Sequence, residues 1–144
     1  MQIFIPSTSC LKTARKLDKR RLNKQIIEAA QILRAIDGEG KGWKNHPATR
    51  MYRPHKSWLH LYRFCLMAFK NGDIKLAEVI SRKADIVRPS FLTEEFCRQH
   101  ARRLFTKSPD LYPQFASLGT STENWYVIDG EIIRYVNGKE LTSK

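Results

Sequence analysis

Between residues 12 and 34 the chain sets eight basic side chains, Lys12, Arg15, Lys16, Lys19, Arg20, Arg21, Lys24 and Arg34, against two acids, Asp18 and Glu28. Asp18 stands where a helix would begin, so Glu28 is the lone carboxylate inside the helical stretch. Such an acid can serve a reaction on a polyanion that the cations hold, stabilising positive charge that develops in the transition state. It can equally do no chemistry and fix those cations for phosphate contact. Arg21, Lys24, Gln25 and Glu28 fall at i, i+3, i+4 and i+7 of a helix and share one face, so either role makes them a unit.

The remaining candidates are binding groups. The net charge is +12 over 144 residues, with a pI near 9.9, and half of that excess lies in the stretch above. This balance calls for a polyanionic partner. A second basic cluster holds Lys44, Arg50, Arg53, Lys56 and Arg63, and a third holds Arg98, Arg102, Arg103 and Lys107. Trp43, Tyr52, Trp58 and Tyr62 interleave the second cluster. Rings beside cations can stack on bases while the cations hold phosphates. Trp58 and Tyr62, four apart on a helix, are expected in the core, while Trp43 and Tyr52 are the candidates for contact. Cys10, Cys65 and Cys97 are too scattered for a disulfide framework or a zinc site, and buried free thiols are expected. His46, His55, His60 and His100 show no metal-ligand spacing, so neither metal nor cofactor is expected.

The elements that must position these groups are mostly helical. Gln2 to Ile5 is a short apolar stretch ended by Pro6, and Ser7, Thr8 or Ser9 can cap a first helix. Asp18 can cap a second, whose Leu22, Ile26, Ala29, Leu33 and Ile36 form one apolar stripe. Loop sequence with at most a short helix follows, after Pro47. Helices are then expected from about His55 to Lys70, from about Asp73 to Ala84, and after the capping Thr93. Ser108-Pro109 predicts a further short helix, with Pro at its first position. Finally WYVIDGEIIRYV alternates around Asp129-Gly130, a hairpin signal. The expected architecture is a compact, single-domain, mostly α fold over 1–118, with a small C-terminal β-hairpin extension over 119–144. No apolar run approaches the roughly 18 residues of a membrane span, and MQIFIPSTSC lacks the zones of a signal peptide. A cytoplasmic protein, in the nucleoid or a phage-infected cell, with no obligate protein partner, is expected.

Three blocks together carry a family resemblance: MQIFIP followed by LDKRRLNKQIIEAAQILRA, then GWKNHPATRMYR, then FCRQHARRLFTKSPDLYPQF. Over roughly residues 1–116 the chain resembles the pyrimidine dimer DNA glycosylase family of endonuclease V-like excision proteins, in its short bacterial, archaeal and phage branch. The resemblance implies a compact helical repair protein that binds double-stranded DNA and cuts the glycosidic bond of a damaged pyrimidine without a metal. In that family an N-terminal α-amine is the nucleophile and a glutamate on the following helix assists. A Schiff base to the sugar forms, and β-elimination can then nick the strand. The chemistry is sound: an α-amine titrates near 7.7–8.0, and neighbouring cations lower that value, leaving a neutral nucleophile.

Carried onto this chain, the resemblance makes the α-amine of Met1 the nucleophile, because bulky Gln2 should leave Met1 in place. The family's glutamate falls near Arg21, so the nearest acid, Glu28, takes that role, kept ionised by Arg21 and Lys24. The third block has Cys97 where the family often has histidine. The DNA-contacting set comprises Arg15, Lys16, Lys19, Arg20, Arg21, Lys24 and Gln25, then Lys44, Asn45, His46, Arg50 and Arg53, then Arg98, His100 and Arg102. Bracing of the loop by His46, and burial of His100, are the structural alternatives. At the level of function the alternatives are a non-catalytic DNA-binding protein on the same fold and, more remotely, an RNA-binding module.

Overall fold

The computed structural model describes residues 2–39 and 42–141. Met1 lies outside the described residues. Ser9 caps α1 (Cys10–Lys16) by accepting from the Lys12 N–H, and Asp18 caps α2 (Lys19–Ile36) by accepting from the Arg21 N–H. α3 (Pro47–Tyr52) is the short helix after Pro47, capped by His46, and runs through a 3-10 turn (Arg53–His55) into α4 (Lys56–Lys70). α5 (Ile74–Ile86) is capped by Asp73, and α6 (Glu94–Lys107) by Thr93. A 3-10 helix follows at Pro113–Leu118, and three antiparallel strands close the chain: β1 (Asn124–Ile128), β2 (Glu131–Val136) and β3 (Lys139–Glu140). The fold is therefore mostly helical, as expected, with a small C-terminal sheet. No helix among the described residues is long and apolar enough to cross a membrane.

Two expectations need correction. Ser108-Pro109 starts no helix. Ser108 ends α6, its N–H bonding to Leu104 O, and the next helical turn begins at Pro113. The hairpin is also two strands of a three-stranded sheet. Asp129 and Gly130 take positive φ (52° and 79°), the pair of left-handed residues that a two-residue turn requires. Asn137 and Gly138 do the same (51° and 77°), turning β2 into β3.

Residues 2–5 decide how the helices pack. Ile3, Phe4 and Ile5 are buried, yet they belong to no sheet. Buried backbone polar groups need partners, and here side chains supply them. Gln25 of α2 accepts from the Phe4 N–H at 2.8 Å and donates to Gln2 O at 3.1 Å. Tyr62 of α4 donates to Phe4 O at 3.0 Å. His100 of α6 accepts from the Ile5 N–H at 2.8 Å through Nδ1. The segment is thus pinned by three helices, over a core where Tyr52, Trp58 and Tyr62 stack at 6.0 and 5.2 Å. Trp58 and Tyr62 are core residues as expected. Tyr52 is also core, 2% exposed, so it cannot stack on a base. Cys10, Cys65 and Cys97 are buried free thiols.

The sheet is seated on α3 and α6, with Tyr126 and Ile128 in the core. Gln99 of α6 ties down the approach to β1, donating to Ser121 Oγ at 2.7 Å and to Glu123 O at 2.8 Å. Replacing Gln25 by Leu would strand the buried Phe4 N–H. The expected loss is about 1–3 kcal/mol of unfolding free energy, measured by urea denaturation.

Candidate active site

The face that the helical period defines on α2 does line a cleft. Arg21, Lys24, Gln25 and Glu28 meet Gln2 and Phe4 on one side, and His46, Lys107, Asn124, Tyr126 and Gly138 on the other, around about 370 Å³. Glu28 Oε2 accepts from the Gln2 backbone N–H at 3.0 Å, so the carboxylate sits against the first described peptide of the chain.

The expected partners of Glu28 are partly engaged elsewhere. Arg21 bonds Asp18 at 3.2 Å and Ser108 Oγ at 2.8 Å, and its guanidinium lies 5.5 Å from the Tyr112 ring centre. Tyr112 donates its hydroxyl hydrogen to Asp18. Burial alone would raise the Asp18 pKa, but the bonds from Tyr112 and Arg21 hold it below the usual carboxylate value. Arg21 is therefore a clasp between α2 and the segment after α6 as well as a cleft cation. Lys107, on α6, is a further cleft cation. It lies 5.7 Å from the Phe4 ring centre, and burial together with Arg103, Lys24 and Arg21 lowers its pKa, while Glu28 works against the shift.

Two residues expected to touch DNA are buried instead. Gln25 is 1% exposed and His100 is 2% exposed, because both serve the backbone of residues 2–5. His46 braces its own loop, accepting from the Ala48 N–H at 3.0 Å through Nδ1, but its ring still faces the cleft beside Tyr126 and Trp43. Burial lowers its pKa. Lys44, Asn45, Arg50 and Arg53 are exposed on the loop and the helix around it, and Trp43 is 44% exposed next to His46. Arg15, Lys16, Lys19 and Arg20 are exposed on α1 and α2. Lys16 and Arg98 face a separate groove of about 320 Å³ between α1 and α6. Arg98 and Arg102 pair with Glu95, and Arg102 also donates to Leu118 O at 2.9 Å.

Lys107, Asn124 and Tyr126 were not among the expected site residues. They come from α6 and β1, and no local spacing links them to α2. Among the described residues no group of His, Cys, Asp and Glu side chains is arranged to hold a metal. The arrangement offers one carboxylate, three cations, three side-chain amides and a wall of rings. These groups suit charge stabilisation beside a bound polyanion.

His100 gives the support of this cleft a pH dependence. Burial, then the charge of Arg103, push its pKa down to about 3 from 6.5. The folded state refuses a proton that the unfolded chain accepts, so its contribution is complete above pH 6.5 and is lost as pH falls toward 3. Between pH 6 and 4, urea unfolding of the natural protein should lose about 1.4 kcal/mol per pH unit more than the His100→Gln variant loses.

A family model described as pyrimidine dimer DNA glycosylase matches residues 1–68, just under half of the chain. The family is the one that the sequence resembles. The match spans residues 2–5, α2 with Glu28, the His46 loop and most of α4, and stops before Lys107, Asn124 and Tyr126. Neither the curated proteins nor the solved structures that were compared contain a match to the chain.

Proposed function

With the pyrimidine dimer DNA glycosylase family matched over residues 1–68, we propose that this protein binds double-stranded DNA and excises a damaged pyrimidine, such as a UV photodimer, through an imine. The observation that carries the reading is the 3.0 Å bond from the Gln2 N–H to Glu28 Oε2. In a chain that starts at Met1, the α-amine is joined to that N–H through three covalent bonds. This bond supports a pairing of the Met1 amine with Glu28 as nucleophile and acid.

The steps follow from that pairing. The neutral amine attacks C1′ as the glycosidic C1′–N1 bond breaks, and the bonding pair leaves with the base. Positive charge develops on the sugar during this step, and the Glu28 carboxylate stabilises it. The nitrogen then sheds one proton to solvent, and the C1′–O4′ bond opens, its electron pair going to O4′, which takes up a proton as the C1′–N bond becomes a protonated imine. Loss of the C2′ proton then permits β-elimination of the 3′ phosphate, the lyase step. Arg21, Lys24 and Lys107 line the same cleft and suit the flanking phosphates. Extruding a nucleotide gives the amine its access to C1′.

The test is borohydride trapping on a duplex with one defined thymine photodimer. The expected product is a covalent adduct that maps to Met1. Glu28→Gln keeps an oxygen acceptor for the Gln2 N–H but removes the charge. It should slow excision by about 10²–10³-fold while duplex affinity stays within a few-fold. If affinity falls instead, with unchanged cleavage per bound complex, Glu28 is a binding residue. Tight binding with neither adduct nor abasic site would select the non-catalytic reading. Separately, Lys24→Gln should weaken binding to every duplex alike and reduce the log–log salt slope by about 0.9, read from fluorescence anisotropy across salt concentrations.

A further inference from the structure

Imine formation does not by itself cut the strand, because the C2′ proton must first go to a base. Of the charged groups lining the cleft, Glu28 is engaged by the Gln2 N–H. Arg21 is clasped to Asp18 and Ser108, and a guanidinium is no base. Lys107 is placed differently. It is the last residue of α6, beyond the stretch that matches the family. Its Nζ lies over the Phe4 ring, 5.7 Å from the centre. That ring has a fixed place. It is 7% exposed, its backbone is held by Gln25 and Tyr62, and it meets His100 in a T-shaped contact with centroids 6.2 Å apart. A ring face attracts an ammonium, so Lys107 has a seat two residues along the chain from Gln2. Lys24 has no such seat among the described residues.

Among the described residues the Lys107 amine has no hydrogen bond and no ion pair, so no acid holds its proton in place. Burial first, then Arg103, Lys24 and Arg21, lower its pKa from the ordinary lysine value, against a pull from Glu28. Crowding by other cations is a recognised way to make a lysine amine available in its neutral form. We propose that Lys107 is a catalytic residue of the lyase step, its neutral Nζ taking the C2′ proton from the sugar imine. The C2′–H electron pair forms the C2′–C3′ double bond as the C3′–O3′ bond breaks, and that bonding pair leaves with the 3′ phosphate. Lys107 then returns its proton to solvent. This rests on the imine reading of the same cleft and assigns the base that its last step needs.

The experiment sets a duplex with one preformed abasic site beside the photodimer duplex, at single turnover. Borohydride trapping counts the imine, and strand nicks are counted separately. Lys107→Arg keeps a cation for phosphate but cannot serve as the base. It should leave duplex affinity and imine formation within a few-fold and slow nicking per imine by about 10²-fold. Lys107→Cys should show the same loss, and aminoethylation, which rebuilds an amine there, should restore nicking. The natural thiols Cys10, Cys65 and Cys97 are buried, and burial raises their pKa, so the reagent favours the new one. From pH 7 to 9 the natural rate per imine should climb, and Lys107→Arg should lack that rise. The charged and titratable groups that face the amine are Arg103, Arg21, Lys24, Glu28, His46 and Tyr126. His46, lowered by burial, is neutral across this range, and Tyr126, pushed up to about 12 mainly by burial, keeps its proton.

Nicking per imine that is unchanged in Lys107→Arg overturns the proposal, since a phosphate contact behaves that way. Loss of imine and nicks in equal measure also overturns it, as does a natural protein that forms the imine but leaves the strand whole. If Glu28→Gln stops nicking of the abasic duplex and Lys107→Arg does not, Glu28 is the base. If the abasic duplex is nicked through Lys107 but no photodimer is excised, the excision reading fails and the assignment of Lys107 stands. If photodimers are excised and nicking ignores Lys107, the assignment fails and the excision reading stands.

Discussion

An extended segment buried outside any sheet is a costly thing to fold, since each unpaired amide or carbonyl forfeits its bond to water. This protein solves the problem with side chains. Gln25, Tyr62 and His100, drawn from three helices, act as the neighbouring strand that residues 2–5 lack. The solution fixes α2, α4 and α6 relative to one another, because each must reach the same short backbone. It also fixes where Gln2 lies, which is beside Glu28. The candidate chemistry thus depends on a structural device, and the residues of that device are polar for reasons unconnected with DNA.

Much of the helical frame was legible because it is local. Ser9, Asp18 and Thr93 are capping residues ahead of apolar periods, and all three cap. The Arg21–Lys24–Gln25–Glu28 face follows from the helical repeat alone, and all four residues line the cleft. Asn137-Gly138 was as readable as Asp129-Gly130, yet the very short β3 behind it carries almost no strand signal of its own. The opposite wall was not legible. Lys107, Asn124 and Tyr126 reach the cleft through the packing of α6 and the sheet, a tertiary fact without local periodicity. Gln25, and His100 as a DNA contact, went elsewhere for another reason. A polar side chain in a basic region looks the same whether it faces a phosphate or an unpaired peptide group.

The charge in the cleft is less uniform than composition suggests. Arg21 is divided between the cleft and its clasp on Asp18 and Ser108. Lys107 is partly buried and crowded by Arg103, Lys24 and Arg21, and burial first, then those cations, make its charged form harder to keep. Glu28 meets a peptide N–H and is not in an ion pair with any described cation within 4 Å. A carboxylate in that position remains available to a charge that appears only during reaction, and the cations around it remain available to the strand that brings the substrate.

The geometry at Gln2 also has a practical side. On the proposed mechanism, residues fused ahead of Met1 would turn its nucleophilic amine into an amide beside the Gln2 N–H that Glu28 holds. Purification tags on this protein therefore belong at the other terminus, beyond the sheet. On that mechanism, an N-terminal tag that leaves residual amino acids after cleavage would give a folded protein whose amine is displaced from Glu28, easily mistaken for an inactive one.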